Sequence, residues 1–387
     1  MKKRSITIAA LMLSVSMVAG MTGGCGDTKE PPVDPTPWND EDNQNADDVQ
    51  TGADVIDDTN QTDTEQTDAP ENTQADDSQE AVIPEITSCE EIIDYDSVVV
   101  VGNAGYELYT YREDTAASYA DVVNSVATEL SGTCDVYDIL IPLSSEVTFP
   151  DNLRSQINSS NQRDAMDNIF GMLNGDVKKV DIYNTLMSHR TDYVYFRTDH
   201  HWTALGAYYA YTDFCKAKGI EAEALDSYET VEFDGFLGSF YNDTDQCAAL
   251  GETPDTVTAY KPNCETTIHV TASDGTQFDW PIINDVSNYG QGIKYSTFIA
   301  ADNPFTVIEN ADVTDGSSCI IVKESFGNAF VPFFVDHYQT VYVVDYRYWT
   351  GSITELAREK QVNDVIFANN LSMIRNKYLV GQLQGVK

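Results

Sequence analysis

The chain has 387 residues, a formal net charge of −41 and a pI of about 4.1. With 22 Lys and Arg against 63 Asp and Glu, it lacks the cationic surface that neutralises phosphates. That excludes a conventional nucleic-acid binder and disfavours a receptor for anionic glycans. Aromatic residues make up 11% of the sequence, enough for a substantial core, and the length suits one large domain or two ordinary ones.

Lys2, Lys3 and Arg4 precede an apolar run from Ile6 to Ala19. The run is too short to span a bilayer and has the form of a secretory leader. Thr22-Gly23-Gly24-Cys25 resembles a bacterial lipoprotein cleavage box, with Thr22 where such boxes usually carry Leu. Residues 1–25 are therefore read as a lipoprotein signal peptide with Cys25 as the lipidation site; the alternative is plain cleavage near Ala19. From 26 to 85 there are 19 acidic residues, one basic residue (Lys29) and one aromatic (Trp38). Such a stretch buries too little apolar surface to offset its ordering entropy and is expected to be a disordered acidic linker. As a Gaussian coil it would reach about 45 Å, the length of a stalk, and self-repulsion extends it. A calcium-binding reading lacks the ligand spacing of a calcium loop. Setting aside the linker's −18 and the leader's +3 leaves −26 for residues 86–387.

Ser97-Val98-Val99-Val100-Val101-Gly102 reads as a buried strand closed by glycine. Tyr119, Val122, Val123, Val126 and Leu130 recur at helical spacing, which predicts a helix from Ala116 to Leu130. Val136 to Pro142 is a second strand and Asp164 to Leu173 a second helix. Trp202 to Ala217 is apolar on more than one face, as in a largely buried helix, with Thr203 as its cap. The stretch 221–303 is polar and turn-rich, with short β-like runs such as Thr266 to Thr271, and reads as a β-rich insertion. Buried strands return at Cys319–Val322, Thr340–Val344 and Val365–Ala368, and a capping box at Ser352 and Glu355 opens a helix to about Lys360. Continuous apolar strands alternating with helices predict an α/β fold, a parallel sheet with helices on both faces, in one domain over 86–387. Cys89, Cys134, Cys215, Cys247, Cys264 and Cys319 lack zinc-site spacing, and an exported chain is free to oxidise them. A bridge from Cys247 to Cys264 would close a polar loop, though spacing assigns no pairing.

In open α/β sheets, function gathers beyond the carboxyl ends of the strands. Ser325 stands there, after the strand ending at Val322. A serine at such a turn exposes its hydroxyl, and the N–H groups of Ser325 and Gly327 are candidate oxyanion donors. A serine hydroxyl needs a base, usually histidine, and the histidine needs a carboxylate to fix its tautomer. Asp199 and His201 are two residues apart, so in an extended segment they point the same way. The rival readings are a helix cap at Asp199, satisfied core histidines, and a metal centre, since Asp-His-His also opens the metal centre of a phosphoesterase family. The sequence offers no matching second Asp/His cluster, so neither metal nor other cofactor is expected. His189, His269 and His337 are assigned no role. Trp202 either stacks on a sugar or anchors the start of its helix in the core.

The segment Tyr195-Phe196-Arg197-Thr198-Asp199-His200-His201-Trp202-Thr203-Ala204-Leu205-Gly206-Ala207-Tyr208 closely resembles the signature of the bacterial DHHW proteins, which are similar to the SGNH-hydrolase-like domains of alginate O-acetyltransferases. Gly238-Ser239-Phe240-Tyr241, Lys323-Glu324-Ser325-Phe326-Gly327-Asn328 and Asp345-Tyr346-Arg347-Tyr348 resemble later blocks of that family in the same order. The resemblance implies Ser325 as nucleophile, His201 as base, Asp199 as its orienter, and an SGNH-hydrolase-like sheet with permuted strand order. It places Arg347 and Tyr241 on the substrate cleft, with Asn328 a further contact; His200 either supports its turn or touches substrate. Glu324 stands where the family often has Asp. The expected function is an exported serine acyltransferase or esterase acting on O-acetyl groups of a cell-surface or secreted polysaccharide. The resemblance further implies a membrane-embedded acyltransferase partner that supplies acyl groups. The protein is expected on the outer face of the cell membrane, held by its lipid, or else secreted. The alternatives are a glycan-binding surface lipoprotein without turnover and a metal-dependent phosphoesterase.

Overall fold

The computed structural model describes residues 82–387; the leader, Cys25 and the linker up to residue 81 lie outside the described residues. Thirteen strands are present among the described residues: β1 (Ile92–Tyr95), β2 (Val98–Val101), β3 (Ala104–Glu107), β4 (Asp135–Ile141), β5 (Val177–Val180), β6 (Glu229–Phe236), β7 (Asp255–Lys261), β8 (Thr266–Thr271), β9 (Gln277–Trp280), β10 (Phe305–Asn310), β11 (Ser318–Lys323), β12 (Thr340–Asp345) and β13 (Asp364–Asn370). The main sheet has the order β5-β4-β13-β11-β12-β10-β8-β9. Its first five strands are parallel, and β10, β8 and β9 add to one edge antiparallel.

Every residue of β11 and β13 is buried, which explains why their middle segments, Cys319–Val322 and Val365–Ala368, are apolar without alternation: helices cover both faces. The helix Glu113–Leu130 packs on β4 together with the helices Ile353–Lys360 and Lys377–Gly385. The helix Ala204–Lys218 packs on β5 and β7 and on the short helix Gly327–Phe330. Thr203 caps it as expected, its hydroxyl accepting from the Gly206 N–H at 3.3 Å. The Ser352 cap likewise forms, accepting from the Glu355 N–H at 3.3 Å.

Three expectations change. The strand around Val98–Val101 does not enter the main sheet. It pairs with β1 and β3 in a separate antiparallel sheet, through two-residue turns at Asp96-Ser97 and Gly102-Asn103. Asp96 and Gly102 take left-handed φ angles of 66° and 60° there, so the closest partners in sequence capture the strand. The polar stretch 221–303 divides: β6 and β7 form a two-stranded ribbon, whereas β8 and β9 continue the main sheet through β10. The six cysteines are free thiols; Cys247 packs near Val98 and Leu250 while Cys264 lies against the main core, so that bridge does not form.

Asp138 of β4 is fully buried, accepts from the Tyr119 hydroxyl at 2.5 Å, and leaves Oδ2 without a partner among the described residues. Burial pushes its carboxyl up to about 7, against the lowering effect of that hydroxyl bond. A carboxyl raised above its unfolded value stabilises the fold fully below the unfolded pKa, and that contribution is lost as pH rises through the folded one. Tm is therefore expected to fall between about pH 4 and about pH 7, and Asp138→Asn to flatten the slope. Parallel Tm–pH curves for the two proteins would contradict this.

Candidate active site

β11 ends at Lys323, and Glu324, Ser325 and Phe326 turn from it into the helix Gly327–Phe330. Because β11 lies between β13 and β12, Ser325 emerges at the carboxyl edge in the middle of the sheet. Glu324 fastens this turn: Oε2 accepts from the Phe326 N–H at 3.0 Å and Oε1 from the Asn370 N–H, at the end of β13, also at 3.0 Å. Burial raises its carboxyl, with Arg347 and these N–H groups opposing. Gly327 is required sterically, since a Cβ there would lie 2.5–2.9 Å from the Lys323 side chain.

The loop that brings the histidines is pinched shut by a single bridge between Tyr195 and Trp202. Inside it, the Phe196 N–H donates to the His201 carbonyl at 3.2 Å. Asp255, buried on β7, accepts from the Thr198 N–H at 2.7 Å and the Thr198 hydroxyl at 2.6 Å, and pairs with Arg197 at 3.0 Å. Trp202 is 0% exposed and donates through Nε1 to the Phe326 carbonyl at 2.9 Å. This indole is a core anchor, and it ties the histidine loop to the serine turn.

His201 Nε2 and Ser325 Oγ are 2.7 Å apart, and His201 Nδ1 lies 2.6 Å from Asp199 Oδ1. Asp199 Oδ1 also accepts from the His201 N–H at 2.9 Å, and Oδ2 from the Ser239 N–H at 2.9 Å. Ser325, His201 and Asp199 are 7%, 6% and 5% exposed. Burial works against the Asp199 charge, yet His201, His200 and the Ser239 N–H hold its carboxyl well below the usual carboxylate range. The imidazole is sandwiched. Tyr295 stacks on it at 4.0 Å and 13°, and the His200 ring lies 3.9 Å from it on a tilt. Tyr295 also donates its hydroxyl to the Ser325 carbonyl at 3.0 Å. A hydroxyl, an imidazole and an ionised carboxylate in line can pass a proton from oxygen to ring while the carboxylate stabilises the imidazolium.

The remaining candidates sit as follows. His200 is bound to its turn: its Nδ1 is 2.7 Å from Ser239 Oγ, which also accepts the His200 N–H at 3.2 Å. Burial, and then His201, push its pKa below the usual imidazole value. Arg347 forks onto Asp345 at 2.9 and 2.6 Å and reaches Asp302 at 2.9 Å. Asn328 lies between Lys323 Nζ at 2.7 Å and Asp302 at 2.8 Å. The Tyr241 ring stands against Gly251 and packs near Val98 and Val100. Gly327 is corrected as an oxyanion donor: its N–H donates to the Glu324 carbonyl at 3.0 Å, because the chain already turns into helix there. The Ser325 N–H has no acceptor among the described residues. Asp199, His200 and His201 also place three ligand-type atoms within 4.8 Å of one another, but the hydrogen bonds above already engage Asp199 Oδ1, His200 Nδ1 and His201 Nδ1. Asp255, Tyr295 and Asp302 carried no signal in the sequence, being single polar residues inside unpatterned stretches.

This is an SGNH-hydrolase-like α/β fold with the serine late in the chain. The family described as DHHW protein matches residues 50–344, and the chain belongs to that family. The crystal structure of a DHHW family protein from Eubacterium siraeum is 28% identical with a TM-score of 0.69, covering 76% of this chain and 98% of that one. Bacillus cereus PatB1 is 19% identical with a TM-score of 0.60, covering 75% and 99%. PatB1 with a sulfonyl adduct is 17% identical with a TM-score of 0.61, covering 77% and 100%. None of the curated proteins matches the chain.

Proposed function

We propose that this protein is an exported serine acyltransferase or esterase acting on O-acetyl groups of a cell-surface or secreted polysaccharide. The observation that carries the reading is the line from Ser325 Oγ through His201 to Asp199, at 2.7 and 2.6 Å. His201 Nε2 takes the Ser325 proton as Oγ bonds to the acyl carbonyl carbon, and Asp199 stabilises the imidazolium. The Ser325 N–H is one donor for the developing oxyanion. Collapse breaks the bond to the leaving oxygen, which takes the proton from His201 and leaves acyl-Ser325. A sugar hydroxyl or water, deprotonated by His201, then attacks the acyl carbon, the bond to Ser325 Oγ breaks, and His201 Nε2 returns the proton to the serine oxygen.

The resemblance to alginate O-acetyltransferases supports the acetyl group and the polysaccharide. The sulfonyl adduct of PatB1 fits the same chemistry, since sulfonyl reagents capture activated nucleophiles. In this reading Cys25 carries lipid, the acidic linker is a stalk outside the membrane, and a membrane-embedded acyltransferase supplies acyl groups. The net −26 of residues 86–387 favours a neutral or cationic glycan over a polyanion. Incubation with p-nitrophenyl acetate, followed by peptide mass spectrometry, is expected to find acetyl on Ser325 in the wild type and none in Ser325→Ala. A wild type that binds glycan but never acylates, with either this ester or a sulfonyl fluoride, would replace the enzyme with a binding protein.

Gly238 gives a steric probe of the same centre. A Cβ on it would lie 2.2–2.5 Å from the Asp199 carboxylate group. Gly238→Ala is expected to displace Asp199 and lower kcat by about 10²-fold with KM nearly unchanged, as measured by steady-state ester hydrolysis. Wild-type kcat in that variant would mean that the Asp199–His201 contact is not needed.

A further inference from the structure

Ile299, Ala300 and Ala301 run consecutively in the left-handed region, with φ of 43°, 62° and 63°. None is glycine, and Ile299 is β-branched, so each position carries backbone strain. Ile299 and Ala300 are buried, so solvent does not explain the conformation. The turn is pinned locally: the Ile299 N–H donates to the Ile282 carbonyl at 2.9 Å, the Ala301 N–H to the Phe298 carbonyl at 2.8 Å, and Asn303 Nδ2 to the Ala300 carbonyl at 2.7 Å.

What the turn delivers is Asp302. Its Oδ1 accepts from Asn328 at 2.8 Å and faces Lys323 Nζ at 3.3 Å, while its Oδ2 meets Arg347 at 2.9 Å. Lys323 Nζ also donates to Asn328 Oδ1 at 2.7 Å and to Asp345 at 2.9 Å. Two cations and two carboxylates thus alternate around one amide. Lys323 and Asn328, which carry this network, stand on either side of Ser325 in sequence. The other end of the segment is Tyr295, which stacks on His201 and donates to the Ser325 carbonyl.

We propose that Tyr295–Asp302 is a positioning clamp, in which the strained turn fixes Tyr295 and Asp302 relative to each other and so holds Ser325 Oγ against His201 Nε2. Asp302 acts through the serine turn, by way of Lys323 and Asn328, whereas Tyr295 acts on both that turn and the His201 ring on which it stacks. The kinetic part of this inference rests on the acyl-transfer reading, whereas the coupling and the geometry do not.

The test uses the whole protein with Ala300→Gly, Asp302→Asn, their combination, and Tyr295→Phe. Ala300→Gly relieves one strained position and is expected to raise Tm by about 2 °C. In the Asp302→Asn background the turn is released, and the same substitution is expected to add nothing. An equal gain in both backgrounds overturns the coupling. For p-nitrophenyl acetate, Asp302→Asn is expected to lower kcat at least tenfold at unchanged KM, and so is Tyr295→Phe, which keeps the stacked ring and removes only the donor. Unchanged kcat in both overturns the positioning role. Crystal structures of the two single variants are expected to show Ser325 Oγ out of hydrogen-bond reach of Nε2; retention of the wild-type distance in both overturns the clamp. Should the wild type lack esterase turnover, the acyl reading falls, and the Tm cycle and the crystallographic distance still decide this one. Should Asp302→Asn fail to fold, Tyr295→Phe decides it by kcat and distance.

Discussion

Ser325→Ala is expected to lower kcat for an activated acetyl ester by at least about 10⁴-fold, and His201→Ala by a similar factor. The double variant is expected to be hardly worse than either single one. The physical reason is that the hydroxyl and the ring act as a unit: without Nε2 at 2.7 Å the serine keeps its proton, and without the serine the ring has nothing to activate. KM is expected to change little, because neither group holds the substrate before reaction. Initial rates for the three variants against wild type, with circular dichroism to show that each is folded, make the measurement. Additive losses, with the double variant worse by the product of the two factors, would mean that the two residues do not share a step.

Asp199→Asn is expected to lower kcat by about 10³- to 10⁴-fold at nearly constant KM. Both carboxylate oxygens of Asp199 accept from N–H groups: Oδ1 from the His201 ring and backbone, Oδ2 from Ser239. An asparagine has only one acceptor oxygen. If that oxygen faces His201, its NH₂ meets the Ser239 N–H; if it faces Ser239, the NH₂ meets His201 and drives the proton to the wrong ring nitrogen. Because the Asp199 carboxyl is held below the usual range, its contribution to stability is present above the unfolded pKa and lost as pH falls through the folded one. The variant should therefore also lose stability at neutral pH. A thermal melt at about pH 7 beside the kinetic series measures both effects. Full activity in Asp199→Asn would remove the carboxylate from the mechanism.

Much of this site could be read along the chain. The Asp199–His201 spacing places two side chains on one side of an extended segment, and the apolar run Cys319–Val322 marks a buried strand with Ser325 just past its end. Both are local patterns, and local patterns survive in sequence. Arg347 was legible as a charged residue after a strand, but its fork onto Asp345 and Asp302 depends on where residue 302 arrives. Trp202 was legible as either a core or a sugar-facing ring, and only its bond to the Phe326 carbonyl decided between them.

By itself the sequence determined the buried strands, the helices with their Thr203 and Ser352 caps, and the types of group available for acyl chemistry. These depend on side-chain periodicity and on backbone groups a few residues apart. The tertiary structure alone decided that a hydroxyl meets an imidazole 124 positions away, that Asp255 braces Thr198 across 57, and that Val98–Val101 pairs with its neighbours instead of joining the main sheet. It also brought Tyr295 and Asp302, from a stretch that reads as decoration, against the serine turn. Such meetings are fixed by strand order and by the burial of groups that must find partners, and no periodicity within one segment records which distant segment will supply them.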